Sequence, residues 1–182
     1  MPGGSSMTDT NVNVDKIEGV LAPGRRNMGG PQSATALEIC RGVTRLLASL
    51  NVSCVSELGL PNGRRADIMG LCVDGSIWIV EIKSSIEDFR ADNKWPDYRD
   101  FSDRLFFAVR PDFPAEILPE EAGLIVADRY AGEIIRPAPE LRLPAPRRKV
   151  MTLRYARAAA SRLAITLDPS LAVNAALLAA EV

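Results

Sequence analysis

Arg64–Ser84, RRADIMGLCVDGSIWIVEIKS, reads as a β-hairpin that carries charges where a buried strand has none. From Ile77 to Ile82 the residues are apolar on both faces of a period-2 strand apart from Glu81, the composition of a central strand covered on both sides. Glu81 and Lys83, two residues apart, point to the side of Ile77 and Ile79, so a carboxylate and an ammonium end an otherwise apolar face. The partner strand ends the same way, with Asp67 on the face of Met69 and Leu71. Turn chemistry decides whether the carboxylates meet. A two-residue Asp74-Gly75 loop sets Ile82 opposite Asp67, whereas a three-residue Val73-Asp74-Gly75 loop with Gly75 in the left-handed region sets Glu81 there. The second register is favoured, because it pairs Leu71 with Ile77 and Met69 with Ile79 and lays the Trp78 ring over Gly70. It puts two carboxylates about 5 Å apart with a lysine beside them.

Like charges at that separation repel unless a cation or a shared proton intervenes. Oxygen ligands of this kind suit Mg²⁺ or Mn²⁺. The competing reading is an ordinary ion-paired cluster at a sheet edge.

Asp67, a gap of about a dozen residues and then Glu81-x-Lys83 after a hairpin resembles the PD-(D/E)XK nuclease superfamily, with Ala66 in place of the proline of its name. The longer runs GRRADI, IWIVEIKSS, DFRADNKWPDY and DRLFFAV resemble the MmcB family of DNA-repair endonucleases within that superfamily, over roughly Ala34 to Leu163. The resemblance implies an α/β restriction-endonuclease-like core, a mixed central sheet with a β-hairpin and flanking helices. It implies a metal-dependent endonuclease acting on DNA in repair, with Asp67, Glu81 and the main-chain carbonyl of Ile82 holding Mg²⁺ (or Mn²⁺). Lys83 then orients or deprotonates the attacking water, and Glu38 on the first helix reaches the metal or its water. The expected substrates are branched, damaged or single-stranded DNA, recognised by structure, since no helix-turn-helix, zinc finger or aromatic stacking platform is legible. A nuclease fold that binds DNA or a partner without turnover is the alternative, and a partner-binding protein with a structural ion-pair cluster comes third.

Composition narrows the chemistry. The 182 residues are 47% apolar, enough for one domain with a sound core, and contain no histidine. That excludes a Ser-His-Asp triad, His-ligated zinc and His-based nuclease motifs. Cys40, Cys54 and Cys72, an odd number in apolar contexts, are expected to be reduced core thiols. With no run of 18 apolar residues and no signal peptide in the first 30, the expected location is the cytoplasm, in association with the nucleoid, without a membrane.

In chain order, residues 1–32 read as a flexible tail rich in Gly, Asn, Ser and Pro. Residues 33–165 form the nuclease-like domain and 166–182 an alanine-rich C-terminal helix capped by Asp168, which either packs on the domain or waits for a partner, a second copy or a repair protein being the candidates. The first helix starts at Thr35, with Leu37, Cys40, Val43, Leu47 and Leu50 as its apolar stripe. Thr35 and Glu38 form a capping box, the structural alternative to a metal role for Glu38. Val52 to Leu60 reads as the first strand, where Glu57 is a weaker acidic candidate. After Lys83, two short helices are expected, through Phe89 and from near Lys94. Lys94, Tyr98, Arg99 and Arg104 lie beyond the hairpin, where phosphate contacts would suit them. LFFAV, GLIVA and Glu133–Arg136 read as further strands, the third and fourth strands being parallel. From Arg136 to Arg162, eight cations face Glu140 alone. Past a Pro-rich connector, a helix from about Arg147 presents Arg147, Arg154 and Arg157 on one side, either to a DNA backbone or to solvent as the wet face of a packed helix. Val150, Leu153, Ala160 and Leu163 then face the fold.

Overall fold

In the computed structural model, which describes residues 33–92 and 94–172, one six-stranded mixed sheet runs in simple spatial order β1-β2-β3-β4-β5-β6. Its strands are β1 (Ser53–Gly59), β2 (Arg65–Leu71), β3 (Ile77–Ile82), β4 (Arg104–Val109), β5 (Gly123–Ala127) and β6 (Gly132–Arg136). β3, β4 and β5 are parallel, and both edges are antiparallel. The parallel centre is the apolar part of the sequence, because its two faces are both covered. One face, with Ile68, Val80, Ile82, Phe106 and Ile125, packs under α1 (Ala34–Ser49). The other, with Met69, Ile77, Ile79, Leu105 and Phe107, is covered by α2 (Ile86–Ala91), α3 (Pro96–Arg99) and α4 (Ala145–Leu167).

The hairpin register is the three-residue one. Leu71 pairs with Ile77, Met69 with Ile79 and Ile68 with Val80; Cys72 and Ser76 close the loop, and Gly75 has φ 79°. That φ suits glycine because no side chain crowds it. Trp78 does pair with Gly70, but its ring does not fill the space there. A Cβ on Gly70 would lie 2.8 Å from Val52 Cγ1, and the indole stacks at 5.1 Å on Phe106. The missing side chain thus admits Val52.

Both helical stripes depart from expectation. Ser33, not Thr35, caps α1 by accepting the Ala36 N–H at 3.1 Å, so there is no Thr35–Glu38 capping box. Ile39, Val43 and Leu47 carry the buried stripe, while Leu37 and Leu50 stay exposed. Val43 and Leu47 are buried as the spacing predicts, and with Ile39 they make the i, i+4, i+8 row that packs on Ile68, Val80 and Ile125 and leaves Leu37 and Leu50 at its margin. In α4 the phase is reversed. Met151 and Tyr155 are buried, whereas Val150, Leu153 and Leu163 are exposed. Arg148, on the same helix face as Met151 and Tyr155, is bonded to Asp103 and the Gly75 carbonyl, and that face is the one turned inward. Past α4, Asp168 accepts from the Ser170 N–H and hydroxyl, as expected of a cap. Residues 1–32, expected to be a flexible tail, and residues 173–182, expected to continue the C-terminal helix, lie outside the described residues.

Candidate active site

The β2–β3 ladder continues in register to Ile68–Val80 and then gives way to side chains. One residue further, Asp67 stands across from Glu81. Asp67 Oδ2 accepts the Ile82 N–H at 2.8 Å, and Glu81 Oε1 accepts the Asp67 N–H at 3.3 Å. Each carboxylate therefore takes a main-chain donor that a continued ladder would have used, which holds both side chains in place. Glu81 is 3% exposed and Asp67 half-buried.

Electrostatically the pair is unsatisfied. Burial pushes the Glu81 carboxyl well above the usual range, and Asp67 pushes it further, with Lys83 opposing. Burial raises Asp67 too, against the pull of the Ile82 N–H and Lys83. Lys83, 4% exposed, does not lie between them. Its Nζ sits 2.5 Å from Asp92 Oδ2. Burial alone would lower its pKa, but Asp92 outweighs that and the net direction is upward, so the side chain stays an ammonium. Asp92 Oδ1 accepts the Lys94 N–H at 3.0 Å, so both its oxygens are used. Sequence reasoning missed Asp92. Its signal was an Asp at a helix end two residues before Lys94, a turn-forming position common enough to hide any other role.

Tyr98 is a correction. It is 8% exposed, packed in the core, with its hydroxyl donating to the Arg65 carbonyl at 3.3 Å, so burial removes it from the surface expected of a phosphate contact. Burial raises its pKa, and Glu81 and Asp67 add to that. With Phe89 and Trp95 edge-on to Phe107, it walls the carboxylates with aromatic surface.

The other expected residues scatter. Lys94 is exposed and Arg99 half-buried, at the end of the sheet where α3 meets Arg64 and Arg65. Arg104 is not beyond the hairpin's charged end. It pairs with Trp78 at the opposite end and donates to the Ala138 carbonyl and Glu140. Arg147 also lies toward that far end, stacked on Phe101 and bonded to the Asp100 carbonyl at 2.8 Å. Arg154 donates to the Gly59 carbonyl at 3.3 Å on edge strand β1. Arg157 is exposed and has no ion-pair or hydrogen-bond partner among the described residues. Glu38 lies on α1, across the sheet from the carboxylates, and no hydrogen bond or ion pair joins it to them among the described residues. Glu57 interrupts the β1–β2 ladder level with Asp67, at φ 48°, and its carboxylate pairs with Arg65 at 3.3 Å.

The ligands that the family resemblance implies, Asp67, Glu81 and the Ile82 carbonyl, would supply only oxygen, and Asp67 Oδ1 has no hydrogen-bond partner among the described residues. Two mutually repelling carboxylates, one buried and one half-buried, with a free oxygen suit a hard divalent cation. No group of three or more Cys, Asp or Glu side chains among the described residues is placed to hold a metal, so water and phosphate oxygens would have to complete the shell. No helix among the described residues is long and apolar enough to cross a membrane, and the three cysteines are unpaired.

No curated protein matches the chain. A solved structure, the SPO1766 protein of unknown function from Silicibacter pomeroyi, is similar at 44% identity with a TM-score of 0.74, over 77% of this chain and 96% of that one. The model of the family described as DNA repair protein MmcB-like matches residues 24–170. With four-fifths of its length under that match, the chain belongs to the MmcB-like family of DNA repair proteins.

Proposed function

We propose that the protein is a metal-dependent endonuclease acting on DNA in repair, built on a PD-(D/E)XK core. The observation that carries this reading is the Asp67–Glu81 pair, Glu81 buried and Asp67 half-buried, which no arginine among the described residues ion-pairs and whose lysine is bound to Asp92. A divalent cation held there by Asp67, Glu81 and the Ile82 carbonyl supplies Lewis-acid polarisation of a phosphate and a more acidic bound water. The Asp67 and Glu81 carboxylates orient the donor set, each steadied by a main-chain N–H. Lys83, held as an ammonium, orients the attacking water and offsets charge on the phosphorane, a role that suits it better than that of a base. Glu38 would need to reach round the sheet to contribute. The substrate class is DNA with branched, damaged or single-stranded structure.

A second reading, a nuclease-fold domain that binds DNA without cutting it, draws support from burial. Glu81 at 3% and Lys83 at 4% exposure leave little room for a phosphodiester. Cleavage of branched, nicked and single-stranded DNA with Mg²⁺ or Mn²⁺ separates the two. Turnover by the wild type that disappears in Asp67→Asn supports the nuclease; binding of the same DNAs with no product under either metal overturns it in favour of the second reading.

A further inference from the structure

Tyr130 is 70% exposed and the one exposed aromatic side chain among the described residues, and it belongs to neither core cluster. An aromatic ring left in water on a loose loop would be unremarkable, but this turn is held tightly. Asp128 Oδ1 accepts the N–H groups of Tyr130 at 2.7 Å and Ala131 at 2.9 Å, and the Asp128 N–H closes on the Ala131 carbonyl at 3.0 Å. Arg45 of α1 donates to the carbonyls of Arg129 and Tyr130. The turn backbone also packs on Gly42 so closely that a Cβ there would lie 2.1 Å from the Asp128 carbonyl. A rigid backbone thus presents a solvated ring with the Arg129 guanidinium 5.3 Å from its centroid. Arg41, one helical turn before Arg45, adds a further exposed cation beside it.

The position matters as much as the chemistry. β3, β4 and β5 are parallel, so the turn after Ala127 opens at the end of the sheet where β3 presents Glu81 and Lys83. Two strand spacings and about five residues of rise separate them along the sheet, on the order of 20 Å, and because the turn is held by α1 on the other face the strand would pass over the end of the sheet. That is a reach for a few nucleotides of extended strand. Ring and guanidinium on one fixed turn are the elements that hold unpaired bases without reading sequence.

We propose that the Arg129–Tyr130 turn, clamped by Arg45, is a stacking platform for an unpaired base of DNA whose strand leads on to the carboxylate end of the sheet. This rests on the reading of the protein as one that acts on DNA, and it names the unpaired strand as what is recognised.

Binding of the full chain to a single-stranded oligonucleotide and to a blunt duplex, without divalent metal, is the test. Tyr130→Ala should weaken the single-strand complex roughly ten-fold or more, the loss of one stacked base, and leave the duplex complex unchanged. Tyr130→Phe should bind like wild type, and Tyr130→Trp should show quenched emission with the single strand only. Wild-type affinity of Tyr130→Ala for both DNAs would overturn the platform and leave the DNA reading standing, as would an equal loss for both, which marks a backbone contact without stacking. Failure of the wild type to bind either DNA would overturn the DNA reading and the platform with it.

Discussion

The two ends of the central sheet each bury acid, and they treat it in opposite ways. At one end, Asp103, 2% exposed, is saturated: its carboxylate accepts the N–H groups of Ile77 at 2.7 Å and Leu143 at 2.9 Å and a two-pronged guanidinium from Arg148 at 2.7 Å. Burial would raise its pKa, but Arg148 and the two N–H groups win, and the carboxyl lies below its usual range. At the other end, Asp67 and Glu81 have a main-chain donor each and no ion-paired guanidinium among the described residues, and both are pushed up. One acid ties β3, β4 and the segment before α4 together. The other two repel each other and have no such partner among the described residues, the environment in which perturbed carboxyls gather at functional sites.

The contrast breaks first if the knot is not structural. Asp103→Asn should cost about 3–5 kcal/mol, since it strands Arg148 and weakens two main-chain anchors, and denaturant unfolding measures it. A cost below about 1 kcal/mol would place the two ends in the same class.

Asp67→Asn should move the other way. Removing one of two like charges should leave stability unchanged or raise it by about 1 kcal/mol while ending any cleavage. A loss of about 3 kcal/mol, as for a broken buried pair, together with stability of the wild type indifferent to Mg²⁺, would make Asp67 and Glu81 structural.

pH sharpens the comparison through opposite signs. Glu81 and Asp67 have raised folded-state values, so their contribution is complete below the unfolded carboxylate range of about 4 and is lost as pH climbs through those raised values. Asp103, lowered, contributes above that range and loses its contribution as pH falls through its lowered value. Without divalent metal, the unfolding midpoint should therefore fall on both sides of a mildly acidic maximum. Glu81→Gln should flatten the alkaline limb and Mg²⁺ should lift it; a wild-type profile unchanged by either would remove the electrostatic distinction between the ends.

The smallest effect concerns the helix that links both ends. Arg147 and Arg154 already serve main-chain carbonyls, so only Arg157 is free to meet a phosphate among the three. Arg157→Ala should shrink the slope of log affinity against log salt by about 0.9 on duplex DNA. An unchanged slope would assign all of α4 to structure.

The saturated end could not have been read from the sequence. Asp103 is one of seven acids between Glu81 and Asp103, and Arg148 one of eight cations between Arg136 and Arg162. Nothing local distinguishes a partner 45 residues away from a solvated charge. The same blindness put the α4 stripe out of phase, because Val150, Leu153 and Leu163 keep helical spacing as well as Met151 and Tyr155 do. It also hid Asp92 as the partner of Lys83, and it made Tyr98 look like a surface tyrosine.

What the sequence by itself determined is the hairpin and what depends on it. Period-2 alternation, a loop with glycine in the left-handed position and apolar cross-strand pairs are local features, and together they leave one register that sets Asp67 across from Glu81. The apolar composition of β3 to β5 likewise marked a sheet covered on both faces. Which charge neutralises which, and which face of a helix turns inward, only the tertiary structure decided. Those outcomes depend on side chains brought together from distant parts of the chain, and an ion pair or a helix rotation is worth what its desolvated surroundings make it worth.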